Sequence, residues 1–243
     1  MQHYDFRAQR LFVPDALGAG TEVRLDRARA HYVADVIRLD VGDTIHLFNG
    51  RDGEWRARRI AAGRRDAVLS CETLLRPQLP ATEIDYVFAP LKHARLDYMV
   101  QKAVEMGAGR LQPVLTRHTQ VARVNGERMR ANAVEAAEQC GVLAVPEVME
   151  PLPLERWLGE LETSRRLVFC DEAADAGAAT PGRFAGPLAV LVGPEGGFAE
   201  EERRALRARP GTVVLSLGPR ILRADTAAVA ALALVQAERE RWG

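Results

Sequence analysis

Residues 191–198, LVGPEGGF, end an apolar run and lead directly into AEEE at 199–202. An apolar run, a turn with a proline and two glycines, and then three acidic residues read as a buried strand, a tight connection and a helix start. Gly196 and Gly197 admit positive φ, Pro194 stiffens the entry, and carboxylates in a first helical turn suit the helix dipole. A glycine-rich turn between strand and helix is the usual phosphate cradle. The residues argue against that ligand here. Neither GxxxxGK[ST] nor GxGxxG is present, and Glu195, Glu200, Glu201 and Glu202 would repel a phosphate. A neutral or cationic ligand fits better, although GPEGGF taken alone also satisfies a plain strand-to-helix connection.

A second stretch, SLGPRILRADT at 216–226, has the same character. Leu217 and Gly218 end a strand, Pro219 stiffens the bend, and Ile221 and Leu222 give apolar cover before a helix that starts near Asp225. Two such loops at neighbouring strand ends weigh against the connection-only reading, and together they suit an adenine base held between aliphatic side chains and main-chain polar groups.

Both loops lie in a half of the chain that alternates strand and helix. IDYVFA (84–89), LQPVL (111–115), VPEVM (145–149), LVFC (167–170), LAVLVG (188–193) and VVLSLG (213–218) are separated by helical stretches such as RLDYMVQKAVEMG and ERMRANAVEAAEQCG. This predicts an α/β fold with a mostly parallel sheet, whose ligands bind at the carboxyl ends of strands. Before residue 76 the rhythm is shorter. RLFV, EVRL, DTIHLFNG, EWRARRIAA and AVLSCE, with an NGRDG turn and one helix at RAHYVADVI, predict a small β-barrel. RPQLPAT (76–82) reads as a linker, so the expected domains are 1–76 and 77–243.

With 243 residues, 47% of them hydrophobic, the chain can bury one substantial core or two modest ones. Its 33 basic and 33 acidic residues cancel, so no global field announces a nucleic-acid partner. Locally, 51–65 carries six arginines against two acids. Arg56 and Arg58 would share a strand face, with Arg59 opposite, which leaves both a basic stripe and a solvated strand surface open. Cys71, Cys140 and Cys170 are scattered, which fits a reducing compartment and buried packing roles, with no metal site. The apolar run 227–237 is too short for a bilayer and the N-terminus lacks the apolar core of a signal peptide, so the expectation is a cytoplasmic protein with no membrane partner.

LVGPEGGFAEEE together with SLGPRILRADTA resembles the paired signature of the RsmE family, SPOUT-superfamily methyltransferases that use S-adenosylmethionine to methylate N3 of a uridine in 16S ribosomal RNA. RLFV, HYVADVIRLDVGDTIHLFNG, KHARLDYMVQKAVEMGAGRLQPVLTRHT and EAAEQCGVLAVPEV extend the resemblance over the whole chain in the expected order. The resemblance implies a PUA-like N-terminal barrel, a SPOUT domain with a C-terminal trefoil knot, a homodimer, and 16S rRNA or the small ribosomal subunit as partner. Its cofactor pocket would comprise Leu191, Gly193, Pro194, Glu195, Gly196, Gly197 and Phe198 from the first loop, and Ser216, Leu217, Gly218, Arg220, Ile221 and Leu222 from the second. A sulfonium cofactor without phosphate agrees with the acidic turn.

Uracil N3 is a protonated imide, so methylation needs a base or a stabiliser of the anion. Arg223 is placed to offset charge on the flanking carbonyl oxygens, and Asp225 to accept the proton or, alternatively, to cap its helix. The family often has Glu at position 225, one methylene longer. For RNA, Lys92 and Lys102 are the two lysines in an arginine-rich chain, although Lys102 can equally pair with Glu105. Arg7, Arg10, Arg38 and Arg117 match basic positions of the family and would meet phosphates. Val142, Leu143 and Ala144 are uncharged where the family often has arginines, so RNA contacts of that loop do not carry over. Competing readings are a SPOUT ribose 2′-O-methyltransferase, a non-catalytic RNA-binding module, and an NAD-dependent oxidoreductase, whose glycine fingerprint is missing after IDYVFA.

Overall fold

The structure, a computed structural model, describes residues 8–61, 67–121, 123–174, 184 and 186–239. Two units divide the chain, Met1–Pro80 with Ala137–Val145, and Ala81–Ala136 with Pro146–Gly243.

Alternation of buried and exposed residues builds the first unit. Its described strands are β1 (Arg10–Phe12), β2 (Glu22–Arg24), β3 (Thr44–Phe48), β4 (Glu54–Ala61) and β5 (Val68–Arg76). They pair in the order β1-β3-β4-β5-β2, with β1 parallel to β3 and the other pairs antiparallel. The result is a half-barrel sheet around Leu11, Val23, Ile45, Leu47 and Leu69. Between β2 and β3, Asp26 caps α1 (Arg27–His31) by accepting from the Arg29 N–H at 2.9 Å, and a π-helical turn, Tyr32–Val36, follows. NGRDG turns β3 into β4 because the Asn49 side-chain oxygen accepts the N–H groups of Arg51 and Asp52 at 3.0 and 2.9 Å. Two hydrogen bonds tie residues 137–145 to this unit. Glu138 accepts the Phe12 N–H at 2.8 Å, and Arg76 donates to the Gly141 carbonyl at 2.8 Å.

The arginines of β4 are consumed by pairing. Arg56 and Arg58 are exposed on one side and meet Glu72 at 3.4 and 2.5 Å, while Arg59 is buried on the other and donates to the carbonyls of Leu39 and Ala61. Arg56 and Arg58 thus share one carboxylate on the exposed face of the strand, which offsets part of their charge; Arg64 and Arg65 lie outside the described residues. Cys140 is exposed, which corrects the expectation that all three cysteines are buried; Cys71 and Cys170 are.

The second unit contains β6 (Ile84–Phe88), α2 (His93–Glu105), β7 (Arg110–Leu115), most of α3 (Gly126–Cys140), β8 (Glu147–Val148), β9 (Leu152–Pro153), α4 (Leu154–Glu160), β10 (Arg166–Cys170), β11 (Leu188–Val192), α5 (Glu200–Ala208), β12 (Val213–Leu215) and α6 (Ala224–Glu238). The strands run parallel in the order β12-β10-β11-β6-β7-β8, and β9 pairs with β7. Every residue of β6 and β11 is buried, as expected of central strands covered on both faces. One face packs Val87, Phe169, Leu191 and Phe198 against Trp157 of α4 and Leu206 of α5. α6 packs against β11 and α2. β9 and α4 are additions to the expected elements.

In the first unit one carboxylate holds several strands. Glu54, fully buried, meets Arg10 at 3.1 Å, His46 at 3.2 Å and Arg76 at 2.6 Å. Burial pushes its carboxyl upward, but hydrogen bonds from His46 and Arg76 and their charges outweigh it and hold the group at about 2. The stability this contributes is complete above the ordinary value of 4.5 and is lost as pH falls through about 2. Glu54→Leu should cost about 3 kcal/mol at neutral pH, because it leaves the buried Arg10 guanidinium without its carboxylate. Urea unfolding followed by tryptophan fluorescence measures this, and a cost below about 1 kcal/mol would show that the strands do not depend on the pair.

Candidate functional site

Parallel strands end side by side, so the loops leaving them are brought together by the sheet order itself. β10 lies between β12 and β11, and the loops after these three strands surround one cavity of about 80 Å³. From the first glycine loop it is lined by Gly193, Pro194, Glu195 and Gly197, and from the second by Leu217, Gly218, Arg220, Ile221 and Leu222. The two bends singled out in the sequence thus share a cavity. Cys170 at the end of β10, Asp171 and Glu172 just after it, Val192, and Ala224 and Ala227 of α6 complete it. These residues escaped the sequence reading, although LVFCDE carries the same signal as the two loops, polar residues just past the end of a buried strand.

The first loop is held by its own chemistry. Gly197 has φ +67° and Gly218 has φ +94°, conformations that side chains resist. A Cβ on Gly193 would penetrate the Phe198 ring, which is buried and packs edge-on against Phe169 at 5.0 Å and 82°. Glu202, in the first turn of α5, accepts the N–H of Ala199 at 2.9 Å and that of Arg117 at 2.8 Å. His118 Nδ1 stands 3.0 Å from the Gly196 carbonyl and 3.1 Å from that of Gly197. Carbonyls only accept, so Nδ1 carries the proton and donates to both.

Carboxylates and guanidiniums form the adjoining wall. Asp171 is 2% exposed and bonds Arg203 at 2.7 Å and Arg207 at 2.6 Å. Arg203 also pairs with Glu172 and donates to the Phe198 carbonyl at 3.1 Å. Glu195 pairs with Arg95 of α2. Burial pushes the Cys170 thiol up to about 12, so it stays protonated and is no nucleophile at neutral pH. Tyr86, fully buried, is raised well above its ordinary value by burial, with the charges of Cys170 and Asp225 adding to it.

Other expected site residues fall elsewhere. Leu191 and Phe198 belong to the core beneath the loop and do not line the cavity; Phe198 supports Gly193 instead. Gly196 lines a neighbouring cavity, and Ser216 lines neither. Arg223 occupies the N-cap position of α6, exposed and without a side-chain cap. Asp225 lies inside the first turn rather than at the cap, and its Oδ1 accepts the N–H of Thr226 at 2.8 Å. Neither lines the cavity, although Ala224 between them does. Of the expected RNA contacts, Arg10 is corrected. It is buried against Glu54, where no phosphate reaches it. Lys102 bonds both oxygens of Glu105 at 2.8 Å and lies 5.4 Å from the Tyr98 ring centroid. Arg38, with φ +54°, Lys92 and Arg117 are exposed, and Arg7 lies outside the described residues.

The neighbouring cavity, of about 360 Å³, is lined by Lys92, Arg95, His118, Gln120 and the Pro194–Gly196 side of the turn, among others. Among the described residues no cluster of His, Cys, Asp or Glu could hold a metal, and no helix is long and apolar enough to cross a membrane.

Comparison with known proteins adds the following. Residues 77–236 match the RNA methyltransferase domain family, and residues 25–70 match the RNA methyltransferase PUA domain. A protein of Synechocystis sp. named ribosomal RNA small subunit methyltransferase E is 30% identical, over 95% of this chain and 78% of its own length. One of the same name from Rickettsia conorii is 29% identical over 93% and 94%. Among solved structures, a putative methyltransferase of Legionella pneumophila in complex with S-adenosylmethionine is 28% identical, with TM-score 0.84 over 95% of this chain and 98% of that one. A ribosomal RNA small subunit methyltransferase E of Neisseria gonorrhoeae bound to S-adenosylmethionine is 26% identical, with TM-score 0.83 over 95% and 98%.

The two adjacent glycines should differ in substitution cost. Gly197→Ala meets positive φ and the Glu172 carboxylate, whereas a Cβ on Gly196 sits in ordinary contact at 3.4 Å from His118. Gly197→Ala should lower Tm by about 3–6 °C, and Gly196→Ala by less than about 2 °C. Equal melting temperatures would contradict the described turn.

Proposed function

Since the chain belongs to the RNA methyltransferase family that carries a PUA domain, we propose that it uses S-adenosylmethionine to methylate N3 of a uridine in 16S rRNA of the small ribosomal subunit. One observation carries the reading. Two stiff loops at adjacent strand ends share a cavity that offers main-chain polar groups and aliphatic cover, the lining that suits an adenine base, beside carboxylates that arginines already pair. The names of the relatives support the substrate.

Gly193, Gly197, Leu217, Gly218 and Leu222 would hold the cofactor through backbone and aliphatic contacts, with Glu172 and Glu195 nearest in charge to its sulfonium. When bound, it supplies a methyl group activated by the positive sulfur. The chain's own residues must expose N3 and accommodate the charge left when its proton departs. Arg223, beside the cavity-lining Ala224, offsets charge on the carbonyl oxygens, and the second oxygen of Asp225 accepts a proton directly or through water. Arg38 of the PUA-like unit and Lys92 and Arg117 of the α/β unit contact phosphates, and the α/β unit receives the extruded base.

The trefoil knot, a homodimer and a cytoplasmic location belong to the same reading. For the dimer, Ile221 is 94% exposed and Leu234 of α6 is 45% exposed, apolar surface that a second copy would cover. Light scattering should return twice the chain mass, and a monomer at working concentration would remove the dimer from the proposal.

Calorimetry should show S-adenosylmethionine binding to the pure chain. Incubation with small subunits that lack the modification should yield 3-methyluridine on nucleoside mass spectrometry. A ribose-methylated nucleoside would instead identify a 2′-O-methyltransferase, and absence of cofactor uptake at millimolar concentration a binding module. Arg223→Ala should lower turnover by about 100-fold while leaving cofactor affinity within about twofold. Unchanged turnover would exclude Arg223 from the chemistry.

A further inference from the structure

The charged groups about the two cavities differ in how firmly they are tied. Arg203 reaches Asp171, Glu172 and the Phe198 carbonyl together, and the buried Asp171 also holds Arg207, so no single bond of that network opens alone. Glu202 is fixed by the N–H groups of Ala199 and Arg117. Arg95 and Glu195 form a pair without such support. Neither side chain has a second partner among the described residues, and they are 40% and 48% exposed. An ion pair this open to water favours its closed state by about fivefold at most, so it exchanges partners readily.

Their placement makes an exchange consequential. Glu195 lines both cavities, whereas Arg95 lines the second and not the first. In the second cavity Arg95 stands with Lys92, and Glu195 is the single carboxylate among the lining residues. The Lys92 ammonium has no partner among the described residues. With Glu195 held by Arg95, Lys92 alone meets an anion there. With Glu195 turned to the first cavity, an ammonium and a guanidinium meet it together, and the guanidinium offers two parallel N–H donors to one phosphate.

We propose that Glu195 is a charge-operated switch between the cavities, leaving Arg95 for a cation in the first and so releasing Arg95 to grip an RNA phosphate beside Lys92 in the second. This rests on the S-adenosylmethionine and rRNA reading above and adds what regulates the hold on RNA. Methyl transfer breaks the bond from sulfur to the methyl carbon and forms one from N3 to that carbon, while the N3 proton leaves, so sulfur ends neutral. Glu195 then returns to Arg95, and the grip on RNA loosens once the base is methylated. The coupling is reciprocal, since a phosphate on Arg95 frees Glu195 for the cofactor.

The test measures binding of small ribosomal subunits lacking the modification to the full chain by filter retention at one salt concentration. Two saturating probes are compared. Sinefungin carries an amine in place of the methylated sulfur and transfers nothing, whereas S-adenosylhomocysteine has a neutral sulfur. Sinefungin should tighten subunit binding by about threefold to fivefold and S-adenosylhomocysteine by less than about 1.5-fold. Without either probe, Glu195→Gln should bind subunits about threefold to fivefold tighter than the parent and gain nothing more from sinefungin, because its Arg95 is already free. Arg95→Gln should also lose the gain. Equal tightening by both probes, or a Glu195→Gln variant that binds subunits no better than the parent, overturns the switch. A parent that binds subunits and cofactor independently defeats the switch alone, whereas a parent that takes up no S-adenosylmethionine in calorimetry defeats the reading and the switch together.

Discussion

The turn at 193–198 is held from three directions, and the two cavities exist because of it. Phe198 anchors it from below, where the ring meets Phe169 and fills the space a Cβ on Gly193 would need. Arg203 ties its end to the strand next door by reaching the Phe198 carbonyl, Asp171 and Glu172 together. His118 clamps its crest by donating one N–H to two carbonyls. A loop of glycines has little intrinsic stiffness, since each loses more conformational freedom on ordering than any other residue. Stiffness is supplied by neighbours from the ends of two other strands, β7 and β10, and from α5, so it is a property of the sheet order and not of the loop alone.

Charge is arranged by the same economy. Taking a carboxylate out of water costs several kcal/mol unless charge and hydrogen bonds replace the solvent, and guanidiniums supply both. Glu54 with Arg10 and Arg76, and Asp171 with Arg203 and Arg207, are two instances in separate units. Arg56 and Arg58 on Glu72 repeat the arrangement at the surface. An arginine count therefore overstates the cationic surface offered to RNA. Exposed groups such as Arg38, Lys92 and Arg117 remain, and on the proposed reading a chain with zero formal charge would bind nucleic acid through a few such positions instead of a broad field.

What could be read from the sequence was what neighbours in the chain decide. Strand and helix alternation and the two loop bends are local patterns, and both bends line the shared cavity as their position at strand ends implied. Distant partners decided what was misread. Arg10 looks like any exposed arginine until Glu54, forty-four residues on, draws it inside. Phe198 stands in the loop motif yet points into the core, because α5 and Phe169 present an apolar surface there. His118 meets the turn across 78 residues, and no spacing rule links RHT to GPEGG. The return of 137–145 to the first unit depends on the N–H of Phe12 and on Arg76, neither of which α3 can announce by itself.

The titratable groups about the first cavity bear on how an imide proton could be lost there. Cys170 is held at about 12 and Tyr86 is raised well above its ordinary value, so neither is an anion at neutral pH. Asp171, Glu172 and Glu195 are each engaged by a guanidinium, and Asp225 commits one oxygen to its own helix. A site furnished in this way gains more from stabilising the anion than from a strong base, since each 1.36 kcal/mol by which a cation favours the deprotonated ring shifts its acidity by about one unit. On the proposed reading Arg223, beside the cavity-lining Ala224, is the cation for that task. That reading would place the burden of catalysis on where positive charge stands around the ring and leave solvent able to carry the proton away.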